Sequence, residues 1–339
     1  MGQTRRMSPG PEPLRTDVSV VVPCHNELET LPELHRRLAQ TLDELGVSWE
    51  LVVVDDMSTD GTRDLLRGLA QRDRRVRAVL LSRNFGLAHA HIAGLRNSSG
   101  TWTVVMDADL QDEPEVIPQL LELAGEGHDV VYAVRSSRGE GRLMRFGTAA
   151  FYAIMSRVSE MPHPSQAGSF SILSRRAVEG IAAMPERNVF FPGLRAFLGY
   201  DQVPLPVHRP ARGDDQPHVS VRAKLAYGLT ALFAFSNAPL RLATWMGFIT
   251  AAGGVILALV YIYLKYVVGG AVPGFTGLIT VVLFLGGVQL ITLGVIGEYI
   301  GRIYGEVKRR PRYVVGEGIN LIPSPDDEAI EVTGASDET

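Results

Sequence analysis

From Asp17 to Arg135 the chain alternates short apolar runs rich in β-branched residues with longer segments whose apolar residues recur every three or four positions. Val18–Val22, Leu51–Val54, Val76–Leu81, Thr103–Met106 and Val130–Val134 read as strands, and their lack of a polar face predicts burial on both sides. Between them, Thr30-x-x-Glu33 reads as a capping box with Pro32 in the first turn. It opens a helix whose Leu31, Leu34, Leu38, Leu42 and Leu45 fall on one stripe. Thr62–Gln71, Gly86–Leu95 and Pro114–Ala124 carry the same periodicity. Strands alternating with helices of this length predict an α/β fold with a mostly parallel sheet covered on both faces.

Beyond residue 218 the pattern changes. Trp245–Leu264 and Phe275–Gly297 contain no charged residue, and each is long enough to cross a hydrocarbon core of roughly 30 Å at about 1.5 Å per residue. The expectation is a two-helix transmembrane hairpin over 244–299. Its connecting loop, 269–274, has no Lys or Arg, whereas Arg241 precedes the pair and Arg302, Lys308, Arg309, Arg310 and Arg312 follow it. This asymmetry puts the large domain, 17–218, and both termini on the cytoplasmic side of a multi-pass cell-membrane protein. Val219–Ala238 mixes Arg222 and Lys224 with Leu225, Tyr227, Leu229, Leu232, Phe233 and Phe235, the composition of an amphipathic interfacial helix, assigned here to 219–243. Residues 300–322 follow as a cytoplasmic segment. Residues 1–16 and the acidic 323–339 read as disordered tails.

Composition narrows the function classes. A net charge of −4 over 339 residues gives no electrostatic reason for a nucleic-acid partner. A single cysteine, Cys24, excludes an intramolecular disulfide and a cysteine-based zinc site. The N-terminus has no apolar core of a secretory signal, and no Gly-x-Gly-x-x-Gly turn or Walker-type phosphate loop follows any strand.

The chemistry concentrates where strands end. Val104-Val-Met-Asp107-Ala-Asp109-Leu-Gln111-Asp112 is an apolar run that stops on two carboxylates. Residues two apart on an extended strand point the same way, so Asp107 and Asp109 can share one target. Hard divalent cations prefer such oxygen ligands, often together with substrate phosphates, and Gln111 has a carbonyl to add. Asp55 and Asp56 close another strand. In open α/β sheets such ends form the ligand crevice.

Taken in order, Pro23-Cys-His-Asn26-Glu27, Val54-Asp55-Asp56-Met-Ser58-Thr-Asp60-Gly61-Thr62, Ser82-Arg83-Asn84-Phe85-Gly86 and Asp107-Ala-Asp109-Leu-Gln111-Asp112 resemble the family-two inverting glycosyltransferases of GT-A fold. Within that family, the resemblance is to polyprenyl-phosphate transferases of the dolichyl-phosphate mannose synthase type and their two-helix bacterial relatives. It implies a nucleotide-sugar donor held at Pro23, Asn26, Glu27, Asp55, Asp56, Asp107 and Arg135, and Mg²⁺ or Mn²⁺ at Asp107, Asp109 and Gln111. Asp107, Asp109 and Arg135 would carry catalysis. Arg187, Arg209 and Arg212 would hold the phosphate of a polyprenyl acceptor, and Lys308–Val315 would lead the chain back to the catalytic domain. The chain departs from the family at Ser169, where many relatives have an aspartate, and at Gln216-Pro217-His218. Two alternatives share the aspartates. One is a processive polysaccharide synthase, whose Gln-x-x-Arg-Trp motif is missing here; the other is a non-catalytic nucleotide- or lipid-binding member. Gly253-Gly254, Gly286-Gly287, Gly294 and Gly297 suggest close helix approach and a homo-oligomer.

Overall fold

The structure, a computed structural model, describes residues 16–135, 167–186, 191–207, 238–268, 274–308 and 310–321. Residues 219–237 of the expected interfacial helix, the tails at 1–15 and 323–339, and Arg187, Arg209 and Arg212 lie outside these residues; 238–243, the rest of the expected interfacial segment, begin the long helix that follows.

Eight strands form one sheet: β1 (Val18–Cys24), β2 (Trp49–Asp55), β3 (Val76–Leu81), β4 (Trp102–Val105), β5 (Val130–Arg135), β6 (Ala167–Ser174), β7 (Gln202–Val207) and β8 (Val315–Ile319). Their order is β7-β5-β6-β4-β1-β2-β3-β8. The centre, β4-β1-β2-β3, is parallel, as the alternation predicts. β6 runs antiparallel between β4 and β5, and β8 runs antiparallel along β3.

Alternate residues of each central strand feed two separate cores. Val20 and Val22 of β1 join Leu31, Leu34 and Leu38 of α1 (Leu31–Glu44), Leu66 of α2 (Thr62–Arg72) and Leu120 of α4 (Ile117–Gly125). Val21 of β1 and Val52 and Val54 of β2 instead meet Ile92 and Ala93 of α3 (Leu87–Arg96), Val178 and Ile181 of α5 (Arg175–Ala183), and Phe191 and Leu194 of α6 (Phe191–Phe197). The approach of α3 is close: a Cβ on Gly94 would sit 2.2 Å from Val21 Cγ1.

Two local readings change. Thr30 does not cap α1 through its side chain, because its hydroxyl donates instead to the Glu27 carboxylate at 2.6 Å and its backbone is already helical. The apolar stripe ends at Leu42; Leu45 follows the last helical residue and is 39 % exposed.

Two long helices, α7 (Ala238–Tyr263) and α8 (Phe275–Val307), pack on each other. They expose large apolar side chains along their length, Trp245, Phe248, Leu278, Leu290 and Ile303 among them. Among the described residues one stretch, Phe284–Val307, is long and apolar enough to cross a membrane, and Ala243–Leu257 is a shorter apolar stretch. After α8 the chain returns to the sheet. β8 pairs with β3 from Ala78↔Ile319 to Leu81↔Val315, Arg67 forks onto Glu317, and the Asn320 amide donates to the Ala70 and Val76 carbonyls at 2.7 and 2.9 Å.

Candidate active site

Chain order reverses direction beside β1: β2 and β3 are added on one side, β4 on the other. Ligand crevices of open α/β sheets form outside the carboxyl ends of the strands at such a switch point. Here a cleft of ≈ 370 Å³ opens there. It is lined by Pro23 and Cys24 at the end of β1, His25 and Glu27 after it, Asp56 after β2, Asn84 and Gly86 before α3, Leu87 and Ala90 of α3, and Asp107, Ala108 and Asp109 after β4.

The two β4 carboxylates therefore share one cleft, and each is oriented by a neighbour. Asp107 Oδ1 accepts from the Ser169 hydroxyl at 3.1 Å, and its backbone N–H donates to Asp112 Oδ2 at 3.2 Å. Asp109 Oδ1 accepts from the Gln111 N–H at 3.1 Å across a turn in which Leu110 takes a left-handed φ of 60°. Gln111 thus contacts Asp109 through its backbone and is not among the residues lining the cleft.

The neighbouring acids divide their roles. Asp56 lines the cleft while its oxygens accept from the N–H groups of Phe85 and Gly86 at 2.6 and 2.7 Å, fastening the loop ahead of α3. Asp55 is 0 % exposed, accepts from the Ser58 N–H and pairs with Arg63 at 3.2 Å. Asn26, at φ 60°, ties the β1 loop to the β2 loop, donating its N–H to Ser58 Oγ and accepting from the Thr59 N–H, both at 2.8 Å. Arg135 is the last residue of β5, in register with Val207 of β7.

The cleft carries a negative field. Burial first, then the charges of Asp55, Glu27, Asp60 and Asp56, push the Cys24 thiol well above its ordinary pKa. Asp107 and Asp109 supply hard oxygen donors of the right kind for Mg²⁺ or Mn²⁺. No group of three or more His, Cys, Asp or Glu that could hold a metal ion occurs among the described residues. A cation on these two carboxylates would keep coordination positions for phosphate oxygens.

Two buried groups near this site escaped the sequence reading. His91 of α3 stacks on Phe191 at 5.0 Å, and among the described residues neither ring nitrogen has a hydrogen-bond partner. Burial pushes its pKa down to about 4, with the Asp107 charge opposing. Arg195 of α6 is fully buried. The only signal for either was a polar residue inside a short apolar helical run, which more often marks the solvated side.

The sheet order and the paired carboxylates at the crevice fit a GT-A-like nucleotide-sugar glycosyltransferase, and the sequence comparisons give that class. The chain belongs to glycosyltransferase family 2: the model described as "Glycosyl transferase family 2" matches residues 19–181, and "GtrB C-terminal hairpin" matches residues 238–303. It is 39 % identical over 310 residues to an uncharacterized glycosyltransferase of Synechocystis sp., covering 91 % of this chain and 98 % of that one. It is 36 % identical over 299 residues to the bactoprenol glucosyl transferase of Shigella phage SfII, covering 88 % and 97 %. Among solved structures, mannosyl-3-phosphoglycerate synthase from Rubrobacter xylanophilus aligns with a TM-score of 0.45 at 19 % identity over 65 % of this chain and 73 % of that one, too loose a likeness to argue from.

Proposed function

We propose that the enzyme transfers a sugar, with inversion, from a nucleotide-sugar to a polyprenyl phosphate at the cytoplasmic face of a membrane. The observation that carries this reading is the convergence of Asp107 and Asp109 on one carboxylate-rich cleft, in a chain whose long helices α7 and α8 expose large apolar side chains along their length. The relatives named for bactoprenol glucosyl transfer, matched over nearly their whole length, support the choice of acceptor.

Asp107 and Asp109, with Gln111 in the expected ligand set, would hold Mg²⁺ or Mn²⁺, which when bound neutralises the donor diphosphate and improves it as a leaving group. The remaining work falls to the chain itself. Ser169 holds Oδ1 of Asp107, and the Gln111 N–H holds Oδ1 of Asp109. Pro23, Glu27 and Asp56 border the nucleotide, and Asn26 and Asp55 keep the loops around it in place. Arg135 is assigned to the diphosphate, for which a guanidinium fork is suited, and Arg187, Arg209 and Arg212 to the acceptor phosphate.

In the reaction an acceptor phosphate oxygen attacks the anomeric carbon from the face opposite the diphosphate. The new carbon–oxygen bond forms as the old one breaks, and nucleoside diphosphate leaves with the bonding pair. A phosphate monoester has a second pKa of about 6, so at neutral pH it attacks without a protein base. Ser169 in place of an aspartate is compatible with this step. Helices α7 and α8 would form a membrane hairpin, with both termini cytoplasmic.

The test supplies purified protein in lipid with labelled nucleotide-sugars, undecaprenyl phosphate and Mg²⁺ or Mn²⁺. A lipid-linked monosaccharide is expected. No lipid product with any donor, beside an active relative, overturns the reading, and a long polymer would favour a processive synthase instead.

A further inference from the structure

Arg195 is 0 % exposed, yet only part of its guanidinium is paired. Nη1 donates to the Gly168 carbonyl at 3.4 Å, and the flat face lies 4.6 Å over the Tyr132 ring. Among the described residues, Nε and Nη2 have no hydrogen-bond partner. Those two nitrogens form the fork with which arginine grips carboxylates and phosphates side-on. Among the described residues, five other arginines use that edge: Arg36 on Glu33, Arg37 on Glu115, Arg67 on Glu317, Arg75 on Asp73 and Arg176 on Asp129. Arg195 alone among these six presents the fork with no carboxylate on it.

Burial lowers the Arg195 pKa only to about 10, so the group stays charged at neutral pH. A buried cation without a counter-charge is strongly unfavourable, and replacement by an apolar residue of similar volume is commonly neutral or stabilising. Stability is therefore a poor reason for an arginine here, and anion binding is a good one.

Its position suits the reaction. β6 runs antiparallel to β4 with Ser171 opposite Val105, so the start of β6 lies beside the carboxyl end of β4. Gly168, which accepts from Arg195, is followed by Ser169, which donates to Asp107. One helical turn before Arg195, Phe191 packs on His91 and fixes α6 against α3.

We propose that the Nε/Nη2 edge of Arg195 is a phosphate-binding element of the transferase site. Its ligand is a phosphate group brought by substrate, either the acceptor monoester or the donor diphosphate. The proposal deepens the reading above and rests on it for the identity of the substrates. The fork is enclosed and Arg195 does not border the cleft, so phosphate engagement requires a local rearrangement around it.

The experiment uses the full-length protein in nanodiscs, with Arg195→Met and Arg195→Lys variants. Calorimetry measures the affinity of each for UDP with Mg²⁺ and for a short-chain prenyl phosphate, and thermal melting reports folding. Arg195→Met is expected to melt at or above the wild-type temperature and to bind one of the two probes at least about tenfold more weakly, the other within twofold. The affected probe identifies the source of the phosphate. Wild-type affinity for both probes in a folded Arg195→Met protein overturns the proposal. Should that variant fail to fold, Arg195→Lys, which keeps the charge and loses the fork, decides. At least about fivefold weaker binding of one probe upholds the proposal, and wild-type binding of both overturns it. Binding is read without turnover, so failure of the transfer assay leaves this result interpretable.

Discussion

Asp107 and Asp109 stand out in the sequence as a spaced pair of carboxylates, and the structure sets both on one cleft, in the loop after β4 rather than on the strand itself. The tertiary contacts add what orients them. Asp107→Asn removes a charge from the proposed ligand pair while keeping its size. Outer-shell partners of metal ligands are typically worth about 10–100-fold, so transfer should fall by more than that, with the melting temperature little changed. Ser169→Ala should fall within that range and raise the metal concentration needed for half-maximal activity. A full-rate Asp107→Asn enzyme would dismiss the assignment. His91 makes a different prediction. Its folded pKa of about 4 lies below the ordinary 6.5, so the unfolded chain binds the extra proton. Its contribution to stability is complete above about pH 6.5 and is lost as pH falls toward 4, at most about 3 kcal/mol. Metal-free wild type should lose more melting temperature between pH 7.5 and 5 than His91→Leu. Equal losses would show that His91 does not titrate there.

At the scale of elements, β1–β5 and α1–α4 were readable because their periodicities are local. What the pattern left open is how tightly they meet. α3 lies on β1 and β2 at Gly94, where a methyl group would come within 2.2 Å of Val21 Cγ1 and 3.2 Å of Val54 Cγ2. Both valines are strand residues with little freedom to move, so Gly94→Ala should overpack the interface and destabilise by about 1–3 kcal/mol. Since Gly86, Leu87 and Ala90 border the cleft, the same change should raise the KM for the nucleotide-sugar. Denaturant unfolding with donor titration checks both, and wild-type stability would mean that α3 can slide without loss. β8 shows the limit of local reading. Its pairing with β3 is reinforced by Arg67–Glu317, partners 250 residues apart, which no window along the chain can connect.

At the scale of the molecule, the glycines of the two long helices take on a sharper meaning. A Cβ at Gly253, Gly254, Gly286, Gly287, Gly294 or Gly297 would meet nothing within 4 Å. Their smallness is therefore not required by the packing of α7 on α8, and it remains available to a second copy of the chain. Gly286→Leu with Gly287→Leu should weaken a homo-oligomer in native mass spectrometry from nanodiscs, while Asp107→Asn leaves it intact. A monomeric wild-type protein under those conditions would end the oligomer reading without touching the catalytic one.

The sequence by itself determined the class of fold, the run of central strands and helices, the paired aspartates and the apolar character of the last third. Each of these follows from residue type and spacing over a few turns or a few strand positions. Only the tertiary structure decided the strand order and the return of β8. It also separated Asp55, buried against Ser58 and Arg63, from Asp56, which borders the cleft. It placed His91 and Arg195 inside, where their polarity had pointed outward. The physical reason is the same in each case: burial and pairing depend on which distant segments meet, and neighbouring residues in the chain carry no record of that meeting.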